Sequence, residues 1–322
     1  MNAISDQKNL NAVDAVKLIM AFCVIGIHSY IFEQKDFSIT IDYIVNLAVP
    51  FFIIASGWLY ARKNGLKLDE IGKLSVRYFR LYFVWVLIYL PLILFEYYHS
   101  GGLTIDNLTK FLRKFLLTGS NPFSYHLWYI LAIATACLFM AFFSKLRIPF
   151  KLVWLVGLIL MFMGFYLMRS NNNIGTYYRN LFEGTGNGLT MGLGLYSTGM
   201  MLYKIKKNKF LIALLFLIIS VILNAKGLPY WQLLGGSSIF LFSENLLLKD
   251  NKAFKIMRDW STWIYFIHMY PVFILMAAII HGWLHITRYE GWFIASFISF
   301  VVAFTLDKLA NSHLPLLQKI IK

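Results

Sequence analysis

The sequence predicts an all-α, polytopic membrane helix bundle of about ten transmembrane helices, and three observations predict it. Of the 322 residues, 59% are hydrophobic and only 14% charged, and the mean hydropathy is +0.64. Apolar runs of about 18 to 25 residues recur between short polar loops, the length that a hydrocarbon layer about 30 Å thick requires. Lys and Arg are also unevenly shared: placing the spans as below leaves about 22 on one side of the membrane and about 8 on the other. The formal charge of +15 is therefore a topology signal, and no nucleic-acid partner is expected. Both termini are expected on the basic, cytoplasmic side, membrane lipid is the surrounding partner, and residues 1–322 read as one domain.

The first span, about 14 to 32, contains VDAVKLIMAFCVIGIHSY. Asp14 and Lys17 open it and His28 lies near its end. Eleven positions at 3.6 residues per turn bring Lys17 and His28 to one face, roughly 16 Å apart. An ionisable group inside a span costs about 2.5 to 3.5 kcal/mol on insertion scales, so each needs a partner, a wet cavity or a role. Asp14, three residues before Lys17, is placed to pair with it. The first ten residues carry no long apolar region and no small-residue cleavage pattern, so the span is expected to act as an uncleaved insertion signal.

A short loop with Glu33, Lys35 and Asp36 leads to the second span, about 42 to 61, which contains VPFFIIASGWLY. Pro50 is tolerable where neighbouring helices satisfy the groups it frees, and Ser56-Gly57 lets another helix approach closely. The most basic loop follows, with Arg62, Lys63, Lys67, Lys73, Arg77 and Arg80, the last two at the mouth of the third span, about 75 to 96. In the outer segment 97 to 124, NLTKFLRKFLL reads as an amphipathic piece on the membrane surface. The fourth span opens with SYHLWYILAI and ends near Ser144.

Spans five (about 150 to 168) and six (about 187 to 203) flank an outer loop with Asn171, Asn172, Asn173, Arg179 and Glu183. Glycines in span six lack phosphate-loop spacing and point to close helix packing. Spans seven (about 210 to 224), eight (about 230 to 247), nine (Ser261 to Ile280) and ten (about 291 to 309) complete the bundle. Cys23 and Cys137 both lie in apolar spans and read as small buried hydrophobes.

The motifs, in order, resemble the acyltransferase-3 family of bacterial membrane proteins. VDAVKLIMAFCVIGIH is similar to the family's acidic-x-x-Arg, ten residues, His signature. VPFFIIASGWL, the pair Arg77 and Arg80, and HLWYI at His126 to Ile130 continue the match, and STWIYFIHMY is similar to its late Tyr-x-x-His span. Lys17 stands where the family usually has Arg, which keeps the charge but loses the planar fork. The resemblance implies transfer of an acyl group, usually acetyl, from cytoplasmic acyl-CoA to an extracytoplasmic glycan or cell-envelope hydroxyl, in the bacterial cytoplasmic (inner) membrane. Similar membrane domains are fused to serine racemases in vancomycin resistance, which keeps a serine-type transporter as the alternative function. At this length no racemase or esterase-like domain is expected, so the chain is a stand-alone member or a membrane domain taken alone.

Against that background, His28 is the expected catalytic base, since imidazole accepts a proton near neutral pH; a packed histidine bonded to a neighbouring helix is the other account. Lys17, Arg77 and Arg80 are expected to bind the phosphates of the acyl-CoA donor, against the alternative of snorkelling anchors for anionic lipid. Asp14, Ser56, His126, Trp128 and His268 are supporting or substrate-binding candidates. For Trp128 an aromatic belt position is the ordinary explanation. For His268, buried at mid-membrane, structure and function stand level. His99, His281, His285 and His313 receive no role. No metal-ligand spacing and no Ser-x-x-Lys or G-x-S-x-G nucleophile occurs, so no metal is expected. Self-association with a second copy is left open, and a non-catalytic scaffold would leave the polar face of span one without a reason.

Overall fold

The computed structural model describes residues 10–32, 37–102, 104–184 and 186–312. Among them no strand occurs, and the chain is a bundle of α-helices. In order these are α1 (Asn11–His28), α2 (Ile39–Asn46), α3 (Ala48–Asn64), α4 (Ile71–His99), α5 (Ile105–Arg113), α6 (Trp128–Lys145) and α7 (Phe150–Arg169), followed by α8 (Asn173–Phe182), α9 (Leu193–Leu202), α10 (Lys209–Ala225), α11 (Trp231–Asn245), α12 (Lys252–Ile267), α13 (Met269–Ile280) and α14 (Arg288–Ser312). Glu33, Lys35, Asp36, His313 and both termini lie outside the described residues, and with them the expectation about the terminal sides.

Among the described residues six segments are long and apolar enough to cross a membrane: Asn11–Ile31, Ile39–Asn64, Ile71–His99, Tyr125–Lys145, Phe150–Arg169 and Arg288–Ser312. A seventh is made if α12 and α13, bent by 44° at their junction, count as one. The expected ten is thus six or seven by length. The other three apolar segments form shorter helices: α11, for example, has 15 residues, about 22 Å of helix against a layer of about 30 Å.

Two prolines explain where helices break. Pro50 lies in the first turn of α3, just after the α2 to α3 junction at Leu47, and Pro271 in the first turn of α13, just after His268. A first-turn residue has no intrahelical acceptor for its N–H, so proline loses nothing there. Pro50 is therefore accommodated by a local break rather than by neighbouring helices.

The glycines of span six do serve close packing. A methyl group at Gly199 on α9 would run into the backbone carbonyl of Ile54, and one at Gly57 on α3 into that of Tyr196. Cys23 and Cys137 are buried and free. The segment expected as an outer loop contains α8, whose start is fixed by the Asn172 side chain accepting from the Gly175 N–H at 2.8 Å. The amphipathic piece forms α5 and one π turn, with Ile105, Leu108, Leu112 and Leu116 exposed. Arg113 and Lys114 tie it to Glu183 at 2.5 and 3.2 Å.

Candidate active site

Helices α1 and α12 run side by side and in parallel. At their starts, Lys17 Nζ lies 3.3 Å from Asp14 Oδ1, and Arg258 Nη1 lies 3.7 Å from Asp14 Oδ2. At their ends the imidazoles of His28 and His268 are 5.3 Å apart between ring centroids. The expected Asp14–Lys17 pair is therefore present, and the eleven-residue interval in α1 is matched by ten residues from Arg258 to His268. Both intervals correspond to about 15 to 16 Å of helix.

The cationic end opens into a cavity of about 330 Å³ whose lining includes Lys17, Ser56, Arg77, Arg258, Tyr129 and Tyr265. A second cavity of about 610 Å³ shares Ser56, Tyr78 and Arg77 with it and adds Lys63 and Lys73. Arg77 thus stands between the two. Arg80, three positions on and exposed, lines neither. Three residues advance a helix by 300°, so the two arginines diverge by about 60°, enough to separate their environments. Ser56 reaches both cavities while its hydroxyl donates to the Phe52 carbonyl at 2.9 Å.

Beyond Tyr129 and Tyr265 lies a histidine cluster. His126, which precedes α6, packs edge-on against His268 at 4.9 Å and against Tyr89 at 5.1 Å. The Tyr265 hydroxyl donates to the His126 carbonyl. His268 occupies the break between α12 and α13, where Nδ1 lies 2.7 Å from the Tyr265 carbonyl and 3.1 Å from that of Ile264. A carbonyl can only accept, so Nδ1 carries the proton and Nε2 of the neutral ring keeps its lone pair. That Nε2 is buried without a hydrogen-bond partner, as are both ring nitrogens of His126. Buried polar atoms are ordinarily satisfied, so these nitrogens have lone pairs or N–H groups to offer a proton or a substrate group. Among the described residues no group of His, Cys, Asp and Glu is arranged to hold a metal ion.

His28 faces the other way as well. It lines a cavity of about 360 Å³ with Asn46, Ser120, Trp128, Glu183 and Gln232. Trp128 is half-buried there, and its ring is the surface that a methyl group at Gly186 would meet. His28, His126, His268 and Tyr265 therefore form a wall between a cationic cavity and a cavity lined by amides and a tryptophan. Sequence reasoning missed Arg258, Tyr129, Asn46 and Gln232. For Arg258 a signal exists, because a basic residue ten positions before a histidine falls one residue short of the eleven-residue interval in α1. The others become neighbours only through tertiary packing.

The fold and the site together are those of a polytopic helical membrane protein with a histidine cluster between two cavities. The sequence model of the acyltransferase-3 family, described as an acyltransferase domain, matches residues 10–308, and the chain belongs to that family. A serine/alanine racemase of Enterococcus gallinarum is 26% identical over 290 residues, covering 81% of this chain and 40% of the racemase. An amino-acid racemase of Enterococcus faecalis is 22% identical over 189 residues, covering 56% of this chain and 26% of that protein. The chain thus spans less than half the length of these relatives. No solved structure matches it.

Proposed function

We propose that the protein moves an acyl group, acetyl in the first instance, from cytoplasmic acyl-CoA to a hydroxyl of an extracytoplasmic glycan or cell-envelope acceptor across the bacterial cytoplasmic membrane. The observation that carries this reading is the wall: His28 touches the amide- and tryptophan-lined cavity on one side and His268 on the other. Lys17, Arg77 and Arg258 line the cavity beyond Tyr265. Cations suit the phosphates of a coenzyme A donor. An aromatic face with Asn46, Gln232 and Ser120 suits a sugar, which offers both C–H faces and hydroxyls.

In the reaction the acceptor hydroxyl attacks the thioester carbonyl carbon, so a C–O bond forms and the C–S bond breaks. His28 takes the hydroxyl proton, the thiolate leaves on the donor side, and the proton passes from His28 to it, so that coenzyme A thiol and neutral His28 are regenerated. A positioned general base contributes about 10² to 10⁴ in rate. In proteoliposomes supplied with acetyl-CoA, His28→Ala is expected to lose at least that much transfer while retaining its fold by size-exclusion profile. Absence of acyl-CoA binding and hydrolysis in the native protein, with surface acetylation unchanged in His28→Ala cells, would reject the proposal.

Two relatives are named as racemases of serine and alanine or of amino acids, and amino acids are accordingly the solute class of a second reading, passage of a small solute such as serine. It requires the wall to open. Uptake of radiolabelled serine without acetyl transfer would favour it; transfer without uptake would end it.

A further inference from the structure

We infer that Arg258, rather than Arg80, is the second guanidinium of the donor site, and that it supplies the forked phosphate contact which Lys17 cannot make. The inference rests on the acyl-CoA reading above and concerns how the donor's anionic end is held.

Three facts converge on Arg258. It lines the same cavity as Lys17 and Arg77, whereas Arg80 does not. It faces the carboxylate that Lys17 uses, so one anion, Asp14, stands between two cations, at 3.3 Å from Lys17 and 3.7 Å from Arg258. The longer of these two separations, and the equal 3.7 Å from Arg258 Nε to Asp259 Oδ1, lie beyond hydrogen-bond reach, so Arg258 has little to give up in turning to a better anion. Its side chain is 44% exposed, against 14% for Lys17, which leaves it the freer of the two to move.

The chemistry follows from the geometry of the groups. A phosphate offers paired oxygens that match a planar guanidinium at two points, while an ammonium contributes a point charge. With Arg77 and Lys17 already lining the cavity, Arg258 completes a set of three cations, with Asp14 offsetting one of them. The net positive field suits a polyanionic donor and leaves the thioester end to run toward Tyr265 and the histidines. Asp14 then holds Arg258 in place while the site is empty and yields it when a phosphate arrives.

The test uses the full-length protein in nanodiscs and measures binding of acetyl-CoA and of acetyl-pantetheine, which has the same thioester but no phosphate. For Arg258→Gln, acetyl-CoA binding is expected to weaken about ten- to a hundredfold, the range of a charge-assisted hydrogen bond, with acetyl-pantetheine binding unchanged. Arg258→Lys should fall between, and Arg80→Gln should match the native protein. A loss of both ligands together with a lowered Tm would mark Arg258 as structural and overturn the inference. So would native affinity in Arg258→Gln with reduced retention of phosphatidylglycerol, which identifies a lipid anchor. If the native protein binds neither ligand, the acyl-CoA reading itself fails.

Discussion

The His28 and His268 rings lie 5.3 Å apart and inclined by 32°, one bordering a cavity and the other fully buried at a helix break. Two neutral imidazoles at this separation can share a proton only if one of them offers a lone pair. The Nδ1–H of His268, committed to the Tyr265 and Ile264 carbonyls, leaves its Nε2 to do so. His268 is thereby placed beside His28 to act on it, and substitution at His268 tests whether it does.

His268→Asn is expected to lower kcat about tenfold to a hundredfold with little change in the KM for the donor, because it removes a group that acts only as the proton moves. The pH dependence of kcat should shift as well, which a purely structural role would not produce. Steady-state kinetics in detergent at several pH values provide the check.

Gly57→Ala and Gly199→Ala are each expected to destabilise the protein by about 1 to 3 kcal/mol, since the added methyl meets a carbonyl of the facing helix and α3 and α9 must separate. Thermal unfolding of the purified variants measures this. Gly227→Ala, where nothing lies within 4 Å, has no such collision; its cost is confined to its left-handed φ of 62°.

The Glu183 carboxyl is held below its ordinary value: burial pushes it upward, but the hydrogen bond from Arg113 and the charge and hydrogen bond of Lys114 outweigh that. A carboxyl depressed in the folded state stabilises above its unfolded pKa, and that contribution fades as pH falls through the folded value. Protease cleavage within residues 105–118 should therefore increase as the pH drops below about 4.3, the ordinary glutamate value. In Glu183→Gln, cleavage should be high and independent of pH over the same range.

The Lys209–Glu244 pair, 2.6 Å apart and largely buried, joins α10 to α11. Removing Lys209 takes away an ammonium held against a buried carboxylate, so Lys209→Met is expected to destabilise the protein, with about 3 to 5 kcal/mol as the upper bound. The double variant Lys209→Met with Glu244→Leu should recover most of the loss, and comparing the three Tm values tests both statements.

Helical periodicity was enough to place Asp14, Lys17 and His28, because α1 is a regular helix and one face follows from spacing alone. It failed for Arg77 and Arg80, where two residues that look like one motif have different surroundings: only a neighbouring helix decides which of them meets a cavity. The apparent span count also exceeded the helices of full length, since α9 and α11 are apolar through burial against other helices as much as through contact with lipid. His126 and His268 were each visible as polar residues in apolar sequence. Their 4.9 Å contact joins positions 142 residues apart and has no local signature. Asn46 and Gln232 lie beside His28 for the same reason, brought there by the ends of α2 and α11.

The wall of His28, His126, His268 and Tyr265 bears on what the cell retains. If only an acetyl group crosses, and does so by changing its covalent partner, nothing needs to flow: no solute channel opens, no ion leaks and no coenzyme escapes. Such a protein would be electrically silent during turnover. The cell could then decorate its exterior continuously without drawing on the gradients that its membrane exists to hold.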